Sequence, residues 1–119
     1  MLMPFTQKVI KIIKAIPPGK VMTYGRIAYY AGKTNGARQV SRFLHVLSAK
    51  HELPWHRVIN AQGRISLKPS NGYELQKALL EDEGIVFSLN NTIDLEKYLW
   101  IPDQLPEDEG IVLQDQLNS

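Results

Sequence analysis

Cysteine does not occur anywhere in the 119 residues. Its absence excludes disulfides, thiolate metal sites and any thiol nucleophile. Long apolar runs are missing as well, since no stretch approaches the roughly 20 residues of a membrane span. Near the start, Lys8, Lys11 and Lys14 interrupt the apolar positions, which is not the pattern of a secretory signal. These absences set the expectation of a cytoplasmic protein with no membrane role. P-loop and dinucleotide-binding fingerprints are also absent, and no Ser-His-Asp arrangement is readable. His45, His51 and His56 are too scattered between helix and loop to make a ligand set without cysteine. Neither a metal nor a cofactor is expected.

Acid is scarce in one half of the chain only. Residues 1–73 hold 12 Lys and Arg against a single acid, Glu52, whereas residues 74–119 hold two Lys and 11 acids. The halves carry +11 and −9, which leaves the net charge of +2. A basic half of this strength is the footprint of a polyanion binder, although a merely solvated basic face fits the charge equally well. After residue 102, Asp103, Glu107, Asp108, Glu109 and Asp115 come with no base. The expected organisation is one domain over 1–102 and an acidic, flexible tail over 103–119.

What is present is mostly helical signal. Phe5, Val9, Ile12, Ile13 and Ile16 recur at helical spacing, and Pro17-Pro18-Gly19 ends that helix. Thr23 can cap a second helix over Tyr24–Ala31, closed by Gly32. A third is expected over Gly36–Ser48, with Ala37, Val40, Phe43, Leu44 and Leu47 inward. Arg38, Ser41, Arg42 and His45 fall at i, i+3, i+4 and i+7 and form one polar stripe. Two short helices joined by a glycine-containing turn read as a helix-turn-helix.

Val58-Ile59 is a short strand or a turn. Glu74–Glu83 is expected as a helix with Leu75, Ala78 and Leu79 inward and Leu80 as the next candidate, capped by Gly84. Ile85–Phe87 is a candidate strand, and Asp94–Trp100 a last helical turn. The hexamer Glu-Asp-Glu-Gly-Ile-Val occurs at both 81–86 and 107–112. Two copies do not make a repeat architecture.

Pro54-Trp55-His56-Arg57-Val58 resembles the Pro-Cys-His-Arg-Val motif of the O6-alkylguanine-DNA alkyltransferases, with Trp55 at the cysteine position. That replacement is the pattern of the alkyltransferase-like proteins. The resemblance covers roughly residues 4–102. It includes the helix-turn-helix, with Arg38 early in its second helix, and the helix end Leu79-Leu80-Glu81-Asp82-Glu83-Gly84. It implies a mostly α, winged-helix-like helix-turn-helix domain with short β elements, lacking the extra N-terminal domain of the full alkyltransferases.

Residue by residue, the resemblance makes Arg38 the finger that fills the gap left by a flipped nucleotide. It makes Tyr24 the residue that helps rotate that nucleotide out. Ala37, Val40 and Ser41 lie on the helix that enters the minor groove, and Arg42 belongs to its basic stripe. Trp55 and Val58 correspond to the floor of the base pocket, His56 and Glu83 to the relay that deprotonates the cysteine, and Arg57 to a residue that holds the motif together. Two regions depart from the family. Leu47-Ser48-Ala49 stands where the alkyltransferases have an asparagine turn, and Ile65-Ser66-Leu67-Lys68-Pro69 replaces a Tyr-Ser-Gly-Gly-like pocket loop. In that loop Lys68 can supply a cation to the lesion, and Ser66 or Ser70 a hydrogen bond to a base edge.

Alkyl transfer needs a soft, deprotonatable nucleophile, which a thiolate provides. An indole nitrogen is a donor only, so the resemblance implies binding without the reaction. The expected partners are duplex DNA containing O6-alkylguanine and nucleotide excision repair proteins, with the chain acting as a monomer. Two other readings stay open on the residues. One is a sequence-specific helix-turn-helix regulator, and the other an enzyme such as a glycosylase or hydrolase that uses His56 and Glu83.

Overall fold

The computed structural model describes residues 3–102. The acidic segment 103–119, including the second copy of the hexamer, lies outside the described residues. Five helices and a two-stranded sheet follow one another as α1 (Pro4–Ala15), β1 (Met22–Thr23), α2 (Tyr24–Tyr30), α3 (Ala37–His51), a 3-10 turn (Trp55–Arg57), β2 (Val58–Ile59), α4 (Tyr73–Asp82) and α5 (Leu95–Tyr98). No helix among the described residues is long and apolar enough to cross a membrane.

The helix-turn-helix is built by local rules. Pro4 occupies the first turn of α1, where its missing N–H costs nothing. Thr23 caps α2 by accepting the Arg26 N–H at 3.2 Å. Gly36 closes the turn into α3 where space is tight: a Cβ there would lie 3.0 Å from the Phe5 ring and 3.1 Å from the Lys33 carbonyl, so a larger residue would need its neighbours to shift. Val40 and Leu44 of α3 are buried against α1 and α2, while Arg38, Ser41, Arg42 and His45 are exposed, as their spacing predicts.

Helix α3 outruns its expected end at Ser48 and continues to His51. No glycine marks the stop. Instead Glu52 itself takes the left-handed conformation at φ 52° and donates its N–H to the Ala49 carbonyl, and the Leu53 N–H reaches the Ser48 carbonyl.

The sheet divides two cores. Strands β1 and β2 run parallel, with Met22 opposite Val58 and Thr23 opposite Ile59. Successive residues of a strand face opposite sides. Met22 and Val58 accordingly join the core of α1, α2 and α3, whereas Val21 and Ile59 join a second core with Leu80, Ile85, Ile93 and Tyr98. The expected strand at Ile85–Phe87 is only an isolated antiparallel bridge from Phe87 to Ile93.

Helix α4 corrects the sequence reading. Leu75 is 57% exposed and Ala78 is exposed, while Gln76 and Leu80 are the buried residues. The reason is polar. Gln76 Nε2 donates to both the His56 carbonyl and the Val58 carbonyl, each at 3.0 Å, so the helix turns toward the acceptors that its amide satisfies. Gln76→Leu leaves two carbonyls without that donor. The expected cost is about 2 kcal/mol, read as a fall in melting temperature of roughly 10 °C; an unchanged melting curve would contradict the assignment.

Candidate nucleic-acid interface

The motif Pro54–Val58 sits between the two cores. The 3-10 turn starts where the Trp55 N–H meets the Leu53 carbonyl at 2.7 Å, and it ends as Val58 enters the sheet. Trp55 is half-buried against the first core, with its ring edge-on to His56 at 6.2 Å between centroids. Tyr24, the first residue of α2, packs against the same core. Its hydroxyl lies 2.9 Å from Ser66 Oγ, which ties the start of α2 to the loop after β2.

Behind Trp55 lies a closed set of charges. Arg57 donates from Nε to both Glu83 oxygens at 3.1 Å and from one terminal nitrogen to Oε2 at 2.7 Å. Its other terminal nitrogen donates to the Ile16 carbonyl at 2.9 Å. His56 Nε2 stands 2.7 Å from Glu83 Oε2, and facing an ionised carboxylate it must donate. The Gly19 N–H completes the carboxylate at 2.9 Å.

Burial by itself would raise the Glu83 pKa. The hydrogen bonds from Arg57, His56 and Gly19, together with the His56 charge, outweigh it and lower the pKa from 4.5 to about 2. Glu83 thus joins the end of α4, the 3-10 turn and the turn after α1 at one point. A carboxylate held this firmly as an anion is a clamp, and the indole beside His56 carries an N–H that donates hydrogen bonds but is far too weak an acid to feed a relay.

The loop between β2 and α4 presents Lys68. Ser66 is held by Tyr24, the Ser70 N–H binds the Glu74 carboxylate at 3.0 Å, and the Asn71 N–H binds the Lys68 carbonyl at 2.9 Å. Gly72 has φ 111°, and a Cβ on it would meet Leu67 at 2.8 Å. Lys68 is exposed on this shaped ledge.

The candidate residues therefore fall into two groups. Arg38, Ser41 and Arg42 are exposed along α3, with Ala37 half-buried at its start. Val40 is a correction, because it is fully buried on the face shared with Leu44 and cannot meet a ligand. Val58 is likewise buried in the first core and is not open to a base. A cleft of about 380 Å³ lies elsewhere, lined by Val86, Phe87, Ile93, Asp94, Lys97 and Tyr98, and none of Trp55, Ser66 and Lys68 lines it. Sequence reasoning missed Gly19, Gln76 and the pairing of Tyr24 with Ser66. The first left a weak signal in the Pro-Pro-Gly turn, and the other two left none.

Comparison with known proteins agrees with this geometry. The family profile of the 6-O-methylguanine DNA methyltransferase DNA-binding domain matches residues 4–85. The chain is 45% identical over 96 residues to the DNA base-flipping protein of Escherichia coli (strain K12), an alignment covering 81% of this chain and 74% of that protein. It is similar in structure to S. pombe Atl1 in complex with damaged DNA containing O6-carboxymethylguanine, with a TM-score of 0.74, 41% identity, and coverage of 86% of this chain and all of that one. Mycobacterium tuberculosis OGT in complex with DNA matches more distantly, with a TM-score of 0.54 and 32% identity, over 70% of this chain and 51% of that one.

Proposed function

The chain belongs to the family of the 6-O-methylguanine DNA methyltransferase DNA-binding domain, as an alkyltransferase-like member, and from that premise we propose that it senses O6-alkylguanine in duplex DNA without repairing it. The observation that carries this reading is Trp55, at the place of the nucleophile, in front of an intact Glu83–Arg57–His56 clamp. Exposed candidates for DNA contact, Arg38, Ser41 and Arg42, support the binding half of this reading, and the lack of any cysteine supports the other half.

In this reading the domain over 1–102 meets DNA through α3. Arg42 and Ser41 contact the backbone, Arg38 fills the gap left by the extruded base, and Tyr24 supports the rotated nucleotide. Trp55 offers an aromatic or apolar surface to the flipped base. Lys68 supplies a cation near the base edge, without the planar fork of an arginine, and Ser66 a hydrogen-bonding hydroxyl. Flipping costs a few kcal/mol, least for a weakly paired base, so the lesion itself provides part of the selectivity. The protein binds as a monomer, and the complex marks the site for nucleotide excision repair.

The test uses Trp55 as its own reporter in a Trp100→Phe background. Titration with a duplex carrying O6-methylguanine should change the Trp55 emission, and the matched undamaged duplex should change it far less. After incubation with excess protein, the lesion and the protein mass should both be unaltered. Free base or restored guanine would establish an enzyme, and one strongly preferred undamaged sequence would establish a regulator; either result overturns the sensor.

A further inference from the structure

Lesion binding through α3, Tyr24 and Trp55 makes no use of the acidic residues beyond Pro102. Helices α1, α2 and α3 contain no acid at all, and Glu52 caps the last of them. Among the described residues, Arg26, Arg38 and Arg42 are exposed with no carboxylate within ion-pair distance; the ion pairs seen there are those of Glu83. Among the described residues, no acid offsets the charge of these three arginines.

The place where the described chain ends is informative. Trp100 donates its N–H to the Val21 carbonyl at 2.8 Å, Leu99 pairs with Val21, and the Trp100 ring packs on the first core. Val21 lies three residues before Tyr24, the start of α2. The described chain thus ends close to the start of the helix-turn-helix. Glu107, Asp108 and Glu109 follow Pro102 by five to seven residues, a reach of roughly 17–25 Å when extended. The described residues span 42 × 30 × 23 Å.

We propose that the acidic segment 103–119 docks on the basic face of α2 and α3 and competes there with the DNA backbone. This rests on the DNA-binding reading above. Lesion and undamaged duplexes must both displace the segment, so it weakens binding to each by a similar factor. The consequence is fewer molecules held on bulk DNA, because the weaker undamaged complex falls below occupancy first.

The repeated hexamer supplies a matched control. Glu107→Gln/Asp108→Asn/Glu109→Gln removes three charges from the segment in the full chain. Glu81→Gln/Asp82→Asn/Glu96→Gln removes three exposed charges from the folded body, two of them in the same sequence context, and leaves Glu83 in place. Affinity for undamaged and lesion duplexes is measured by fluorescence anisotropy at low and high salt. The segment variant should bind both duplexes roughly fivefold more tightly than the body variant at low salt, with the gap closing at high salt. Equal affinities for the two variants would overturn the proposal, because net charge alone would then account for the change. If the unaltered chain fails to bind either duplex, the DNA-binding reading fails first and this inference falls with it.

Discussion

Arg38→Ala should weaken binding to an O6-methylguanine duplex by roughly 30- to 150-fold, the equivalent of about 2–3 kcal/mol. Arg38 is the second residue of α3, exposed, and free of any carboxylate among the described residues. Within residues 3–102 its guanidinium has no ion pair to give up before it enters the base stack. The planar group can stack on neighbouring bases and donate to the orphaned partner base, so Arg38→Lys should recover only part of the loss. Lys97→Ala is the comparison, since Lys97 lies over the Tyr98 ring on the far cleft. Equal losses for the two alanine variants would remove Arg38 from the finger role. Binding of the unaltered chain should also fall steeply with salt, because each phosphate contact releases counterions.

Arg38 also shows what was legible in the sequence. Its stripe could be read because a helix repeats every 3.6 residues and the pattern needs no knowledge of the rest of the fold. The Thr23 cap and the end of α1 at Pro17-Pro18 could be read for the same reason, since the groups that interact are within four residues of each other. The pairing of Tyr24 with Ser66 spans 42 positions, and that of Gly19 with Glu83 spans 64. No local rule reaches that far.

Gln76 was misplaced for a related reason. Hydropathy ranks a glutamine outside and a leucine inside, but the two carbonyls of the motif needed a donor and α4 rotated to supply it. Glu52 ends α3 in a conformation usually left to glycine, so the helix overran the boundary that composition suggested. The candidate pocket residues came from the motif and not from physical pattern. Val40 was the one whose own periodicity already placed it in the core.

The same long-range contacts make Glu83 the position where a substitution should cost most stability. Glu83→Ala removes the only carboxylate that Arg57 and His56 share among the described residues. Their side chains are about 15% exposed, so they are left largely desolvated and unpaired. The expected loss is about 3 kcal/mol, the low end for breaking a buried pair, because the site keeps some access to water. Chemical denaturation should show it as a lower midpoint with an unchanged slope.

The pH dependence gives an independent reading of the same clamp. The Glu83 pKa is depressed in the folded state, from 4.5 to about 2. Its contribution is therefore fully present above pH 4.5 and is lost as pH falls toward 2, where the folded carboxylate takes up its proton. After screening this amounts to on the order of 2 kcal/mol. Glu83→Gln keeps the shape and the acceptor oxygen but cannot titrate. The stability gap between the unaltered chain and Glu83→Gln should be full at pH 7, narrow from pH 4.5 downward and largely vanish near pH 2. A gap that held constant over that range would mean that Glu83 stabilises the fold through packing, and that Arg57 and His56 do not depend on its charge.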